Sequence, residues 1–91
     1  MVYVTHIRLS ASGSRHEHIT NVKWRNPNTG ETGESTRAAM VDWIKNQGGD
    51  ARVRDAAGHD VRVGVVNVNP PYIRTYADDV WTDNLLALPR F

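Results

Sequence analysis

One stretch of this chain, residues 35–49, has the apolar periodicity of an amphipathic α-helix, and it constrains the fold more than any other feature. Its apolar face is predicted from the residues at i, i+3, i+4 and i+7, which are Met40, Trp43, Ile44 and Gln47. Ser35 or Thr36 can cap the first turn, and Gly48 with Gly49 can end the helix, because glycine adopts the left-handed conformation without steric cost. A single helix of this length has to bury its apolar face against strands.

Five other segments alternate apolar and polar residues, which is the period-2 pattern of β-strands. They are residues 2–9, 16–24, 51–55, 61–68 and 72–77. In the second segment the alternation changes phase near Thr20 and Asn21. A β-bulge or burial of both faces would produce this change, and we favour the bulge.

The end of the chain predicts short-range structure only. Asp78 and Asp79 suit a tight turn, and residues 84–88 predict one helical turn that Thr82 or Asp83 caps and Pro89 ends. The predicted order is strand, strand, helix, strand, strand, strand.

The chain has 91 residues, which is the size of one domain, residues 1–91. We predict an α+β fold in which a five-stranded, largely antiparallel sheet carries the helix across one face.

The composition excludes several classes of protein. Hydrophobic residues make up 40% and charged residues 23%, as in ordinary globular proteins, and the net charge of +1 does not point to a nucleic-acid partner. The absence of cysteine excludes a disulfide scaffold, a cysteine-ligated zinc site and a thiol nucleophile. We expect a cytoplasmic protein without a membrane segment, since no signal-peptide pattern and no apolar run of about 18 residues is present. No phosphate-binding loop, nucleophile elbow or calcium loop is present, and we expect no cofactor.

Several short motifs resemble those of a known family. They are His16-x-His18-Ile19 near the start, Tyr72-Ile73-Arg74-Thr75, and Asp83-Asn84-Leu85-Leu86-x-Leu88-Pro89 near the end. In these motifs the chain resembles a family of short bacterial and phage proteins that is catalogued as a domain of unknown function. The resemblance implies a compact, stand-alone module of bacterial or phage origin, and it implies no catalytic residue.

Arginine and tyrosine recur at alternate positions of the last three predicted strands. The set is Arg52, Arg54, Arg62, Tyr72, Arg74 and Tyr76. If the valines between them pack on the helix, these six side chains gather on the opposite, open face. Arginine binds phosphate and tyrosine stacks on bases, so such a face suits nucleic acid or another phosphorylated ligand. The alternative is an ordinary solvated face on which Asp55, Asp60 or Glu17 pairs with the arginines.

Three histidines form a second candidate group. His16 and His18 are predicted on one strand face, and one register of the first hairpin adds His6 to them, which would allow a divalent metal site. Another register pairs Arg8 with Glu17 and separates the histidines. Surface histidines need no metal, so the group has an ordinary interpretation too.

Acidic and aromatic residues near the end form a third group. Asp78, Asp79 and Asp83 suit either a magnesium site or, more economically, a turn and a helix cap. Trp24, Trp43 and Trp81 are predicted in the core or at its rim, with Trp81 covering one end of the sheet.

We therefore rank three functions. The first is a non-enzymatic binding module that contacts another protein or forms a homodimer through its sheet face or edges, with the strand at residues 2–9 as an edge open to pairing. An exposed Trp81 or Phe91 would favour such a protein-binding patch. The second is nucleic-acid or phosphorylated-ligand binding by the arginine-tyrosine face. The third is a metal-dependent enzyme that uses His6, His16 and His18.

Overall fold

The computed structural model describes residues 1–91 and contains one α-helix and seven β-strands. In chain order they are β1 (Val2–Leu9), β2 (Ile19–Arg25), β3 (Thr32–Thr36), α1 (Arg37–Asn46), β4 (Ala51–Arg54), β5 (Asp60–Val66), β6 (Tyr72–Ala77) and β7 (Val80–Thr82). The predicted α+β class is confirmed, and so are β1 and β6 with their predicted bounds. The sequence patterns missed β3 and β7, so the prediction of five strands is wrong.

All seven strands form one sheet in the order β3-β2-β1-β4-β5-β6-β7. Every neighbouring pair is antiparallel except β1 and β4, which confirms the predicted largely antiparallel sheet. The prediction that the first strand is an open edge is wrong, because β1 lies in the middle between β2 and β4. The edges are β3 and β7.

The ends of α1 follow the local signals. The hydroxyl of Thr36 accepts a hydrogen bond from the Ala39 N–H at 3.1 Å and caps the first turn. At the other end Gly48 has a φ of +68°, and the Gly49 N–H donates to the Trp43 carbonyl at 2.9 Å. The predicted cap and terminator are confirmed, whereas Gln47 is exposed rather than part of the apolar face.

The core lies between α1 and one face of the sheet. Its most deeply buried apolar side chains are Ile7, Ile19, Val22, Val53, Ile73 and Leu85. Met40 and Val41 of α1 complete this layer. Because the single helix covers only one face, the other face of the sheet stays open to solvent.

The first hairpin contains the predicted bulge. Arg8 pairs with Asn21 and Leu9 with Ile19, so Thr20 is the extra residue on β2. A second irregularity leaves Thr5 unpaired on β1. The predicted strand over residues 16–24 begins later than expected, because His16–His18 form a single 3₁₀ turn before β2.

The last residues fold back onto the middle of the sheet. Asp78 and Asp79 have φ values of +51° and +62°, which confirms the tight turn between β6 and β7. The predicted helical turn over residues 84–88 is wrong, since this segment forms hydrogen-bonded turns without a helix. Pro89 and Phe91 then exchange backbone hydrogen bonds with Ile7, beside the part of β1 that β4 does not reach.

Candidate functional site on the open sheet face

Direct cross-strand pairing sets one row of side chains across the open face. The row runs from β1 to β7 through Tyr3, Arg52, Arg62, Tyr76 and Trp81. Arg54, Arg74 and Tyr72 occupy alternate positions of the same strands and therefore lie on the same face. The six residues of the predicted arginine-tyrosine set thus share one face of the sheet.

The arginines of this set do not lie free on the face. Arg52 donates two hydrogen bonds to Asp50, at 3.0 and 2.9 Å, and Arg74 donates one to Asp83 at 2.8 Å. The Nε atom of Arg62 lies 3.9 Å from the nearest carboxylate oxygen of Asp50. The hydrogen bonds from Arg52 are the main reason that the pKa of Asp50 lies below its ordinary value, so this carboxylate stays charged.

A compact network joins Tyr3, Arg54 and Asp60. The Tyr3 hydroxyl donates to Asp60 Oδ2 at 2.8 Å, and Nη2 of Arg54 donates to that hydroxyl at 2.6 Å. The guanidinium of Arg54 also lies 4.8 Å from the centre of the Tyr3 ring. The hydrogen bond from the Tyr3 hydroxyl lowers the pKa of Asp60, and the hydrogen bond from Arg54 lowers it further. Each arginine of the set therefore has a carboxylate oxygen within 4 Å, and Arg52 and Arg62 share Asp50.

Three of the four exposed large hydrophobic residues of the chain lie at the β7 end of the sheet. We define the aromatic corner as Tyr76 and Trp81, which lie on the open face, together with Val80, the neighbour of Trp81 on β7, whose side chain points to the other face of this edge strand. The exposed fractions of Tyr76, Trp81 and Val80 are 39%, 39% and 60%. The two rings meet edge to face with centroids 5.2 Å apart. The prediction that Trp81 covers one end of the sheet is wrong, because its ring lies on the open face.

Two neighbours hold the aromatic corner in place. Gly64 of β5 leaves room for the Trp81 ring, since a Cβ atom there would lie 3.3 Å from it. The Tyr76 hydroxyl donates to Asp79 Oδ1 at 2.7 Å, and this bond raises the pKa of Tyr76. The rings are therefore fixed by local contacts although a large part of each is exposed.

The outer side of β7 has no strand beside it. Ala77 and Val80 flank a two-residue turn and pair with each other, so the alternation of an antiparallel ladder directs the N–H and C=O of Trp81 outward. No other backbone group bonds to them. Asp78 and Asp79 precede β7 in the chain and give this end of the edge a negative charge, whereas Arg74 balances the charge of Asp83 at the other end.

A family model covers nearly all of the residues just described. The model for the family described as protein of unknown function, DUF3892, matches residues 3–89. The chain belongs to this family. The match confirms the resemblance that the short motifs indicate, and it spans all seven strands of this chain apart from Val2, the first residue of β1. No curated protein and no solved structure matches the chain.

The three candidate histidines of this DUF3892 chain, His6, His16 and His18, do not come together. His6 lies on β1 with its Nδ1 atom 2.9 Å from the Thr5 hydroxyl, whereas His18 accepts hydrogen bonds from the Ser14 and Arg15 N–H groups. His16 is buried on the core side and lies near Asp83. The prediction of a shared strand face is wrong, because the 3₁₀ turn rotates His16 away from His18. No group of three or more His, Asp or Glu side chains is arranged to hold a metal ion.

The sequence patterns missed several residues of the DUF3892 open face. Tyr3 joins it through the pairing of β1 with β4, which is distant in the chain, and Asp50 lies two positions before Arg52 in the same segment. Asp60 was predicted as a possible partner of the arginines, and it binds Arg54. Alternation within residues 51–54 and 60–62 gave a signal for Asp60, which directly precedes the first valine of β5. Asp83, predicted as a helix cap, instead binds Arg74.

Proposed function

We propose that this chain is a small, non-enzymatic binding module that recognises another protein through the aromatic corner. The observation that carries the proposal is Trp81, which lies across the open face with 39% of its surface exposed and no element above it. Tryptophan and tyrosine are the residue types that most often dominate the binding energy of protein interfaces. Here both rings are held in fixed positions, so they lose little conformational freedom when a partner binds.

The charge around β7 indicates the chemistry of the partner. Asp78 and Asp79, which have no basic partner, lie beside an edge whose central residue directs its backbone groups outward. A partner segment that is extended, with apolar side chains between lysines or arginines, would complement both features. We propose such a basic segment as the ligand.

Self-association through the same edge is a weaker alternative. An antiparallel dimer centred on Trp81 would set Asp79 of one copy opposite Asp83 of the other. Like charges in directly opposite positions destabilise a strand pair. The edge therefore favours a different protein over a second copy of this chain.

Nucleic-acid binding by the arginine-tyrosine set has less support. Each of its four arginines has a carboxylate oxygen within 4 Å, so a phosphate would have to displace a carboxylate. Lys23 and Arg25 have no such partner, but they lie on β2, several strands away from the aromatic corner.

We place the module in the cytoplasm as part of the proposal. The lack of cysteine supports this setting, since small exported domains are commonly stabilised by disulfides. No helix in the chain is long and apolar enough to span a membrane.

Two matched valine variants test the proposal. Val80 belongs to the aromatic corner and Val68 lies in the loop between β5 and β6, and their exposed fractions are 60% and 54%. Calorimetry with a synthetic peptide of alternating valine and lysine should show that Val80→Ser weakens binding by about tenfold, through loss of buried apolar surface. Val68→Ser should bind like the wild type.

Two results would contradict the proposal. One is equal affinity of the two variants. The other is equal affinity for a peptide of alternating valine and glutamate, which carries the opposite charge.

A further inference from the structure

A cleft opens on the helix side of the sheet, where α1 meets β2 and β3. Its volume is about 100 Å³, and it is lined by Val2, Trp24, Ser35, Ala39, Met40 and Trp43. No charged side chain takes part. The cleft lies near the β3 edge of the sheet and the aromatic corner at the β7 edge, so the cleft is separate from the proposed protein-binding surface.

The two indole rings of the cleft are held in position. A Cβ atom at Gly33 would overlap the Trp24 ring, and one at Gly49 would overlap the Trp43 ring, so each ring lies directly on a glycine. The Trp24 Nε1–H also donates to the Ser35 hydroxyl at 3.1 Å. The aromatic walls therefore exist before any ligand arrives, which reduces the entropy lost on binding.

The lining limits the chemistry of a ligand. Five of the six lining residues are hydrophobic, so a charged ligand would lose its hydration without gaining a counter-charge. The Ser35 hydroxyl accepts from Trp24 and keeps its own O–H as a donor. It can therefore serve one oxygen acceptor of the ligand.

The surroundings distinguish a small molecule from a protein side chain. The exposed large hydrophobic residues of the chain, Val68, Tyr76, Val80 and Trp81, all lie outside this cleft. A protein surface docked here would thus find no further large apolar contact, whereas a small molecule needs only the walls.

We propose that the cleft binds a small, uncharged, mostly apolar molecule with one hydroxyl or carbonyl oxygen, about the size of a branched four-carbon chain. An engineered apolar cavity of about 150 Å³ holds benzene, so a smaller ligand fits the volume observed here. Few heavy atoms are buried, and the dissociation constant should be roughly millimolar.

Indole NMR signals test this site because the three tryptophans report on two different surfaces. In a titration with isobutanol, the Nε1–H signals of Trp24 and Trp43 should shift and saturate, while that of Trp81 stays unchanged. Isobutyrate, which has the same carbon skeleton and a negative charge, should shift neither. Single Trp→Phe variants assign the three signals.

Two alanines of α1 supply a matched pair of variants. Both are exposed, but Ala39 lines the cleft and Ala38 does not. Ala39→Leu should fill the cleft and abolish the isobutanol shifts, and Ala38→Leu should leave them intact. Leucine is a good helix former, so both variants should fold.

Three results would overturn the site. They are the absence of a saturable shift up to roughly 50 mM isobutanol, equal shifts of all three indoles, and wild-type binding by Ala39→Leu.

Discussion

His16 is the one titratable side chain that the fold buries. Its Nε2 atom has no hydrogen-bond partner, and Oδ1 of Asp83 lies 4.0 Å from it. Burial, followed by the charge of Arg74, lowers the pKa of His16 from its ordinary value, while Asp83 and Glu17 oppose this shift. The folded protein therefore resists protonation of His16 more than the unfolded chain does.

This difference predicts how stability depends on pH. The contribution of His16 to the free energy of unfolding is fully present above the unfolded pKa of about 6.5. It should be lost as the pH falls below that value, because the unfolded chain then binds a proton that the folded protein resists. Urea unfolding midpoints between about pH 7.5 and 5.5 measure the effect. The midpoint of His16→Gln should change less over this range than that of the wild type.

The exposed His59 provides the control, since 80% of its side chain is accessible. His59→Gln should keep the wild-type pH dependence. If His16→Gln kept it as well, burial of His16 would not be its source.

Among the secondary-structure elements, the sequence predicts those that short-range signals determine, and α1 is the clearest case. The cap, apolar face and terminal glycines of α1 all lie within residues 35–49, and the helix is found there. β3 has no large apolar residue and becomes a strand only by pairing with β2. β7 has three residues, which are too few to show an alternation of apolar and polar residues. Both strands depend on tertiary contacts, which is why the sequence patterns missed them.

Glycines at two strand positions give a test of this packing. Gly33 in β3 has the Trp24 ring directly against it, whereas a Cβ atom at Gly64 in β5 would lie 3.3 Å from the Trp81 ring. Gly33→Ala should lower the free energy of unfolding by about 1–3 kcal/mol, because the partly buried Trp24 ring, which packs against the core, has to move. Gly64→Ala should cost less than about 1 kcal/mol, since Trp81 is exposed and can shift. Chemical denaturation of the two variants measures the difference, and an equal or reversed order would contradict the packing described for Trp24.

At the scale of the whole molecule, the sheet has one face under the helix and one face open. The sequence predicted that the arginines and tyrosines would share the open face, because alternation within a strand is a local property. It offered Asp60 as one possible partner of the arginines, and the register between β4 and β5 sets Asp60 directly opposite Arg54. It did not predict Asp50, although this residue lies only two positions before Arg52. The position of Trp81 was missed because it depends on the pairing of β7 with β6. The open face is therefore close to neutral, like the whole chain with its net charge of +1, because carboxylates pair with the arginines.

We propose that the aromatic corner, rather than the arginines, is the binding surface. The most direct test follows the indole signal of Trp81 during titration with the valine-lysine peptide and, separately, with a short single-stranded oligonucleotide. We expect a saturable shift of the Trp81 signal with the peptide that salt weakens, unchanged signals of Trp24 and Trp43, and little response to the oligonucleotide. An unmoved Trp81 with the peptide, or a saturable response to the oligonucleotide in the Trp81 and arginine signals, would contradict the proposal.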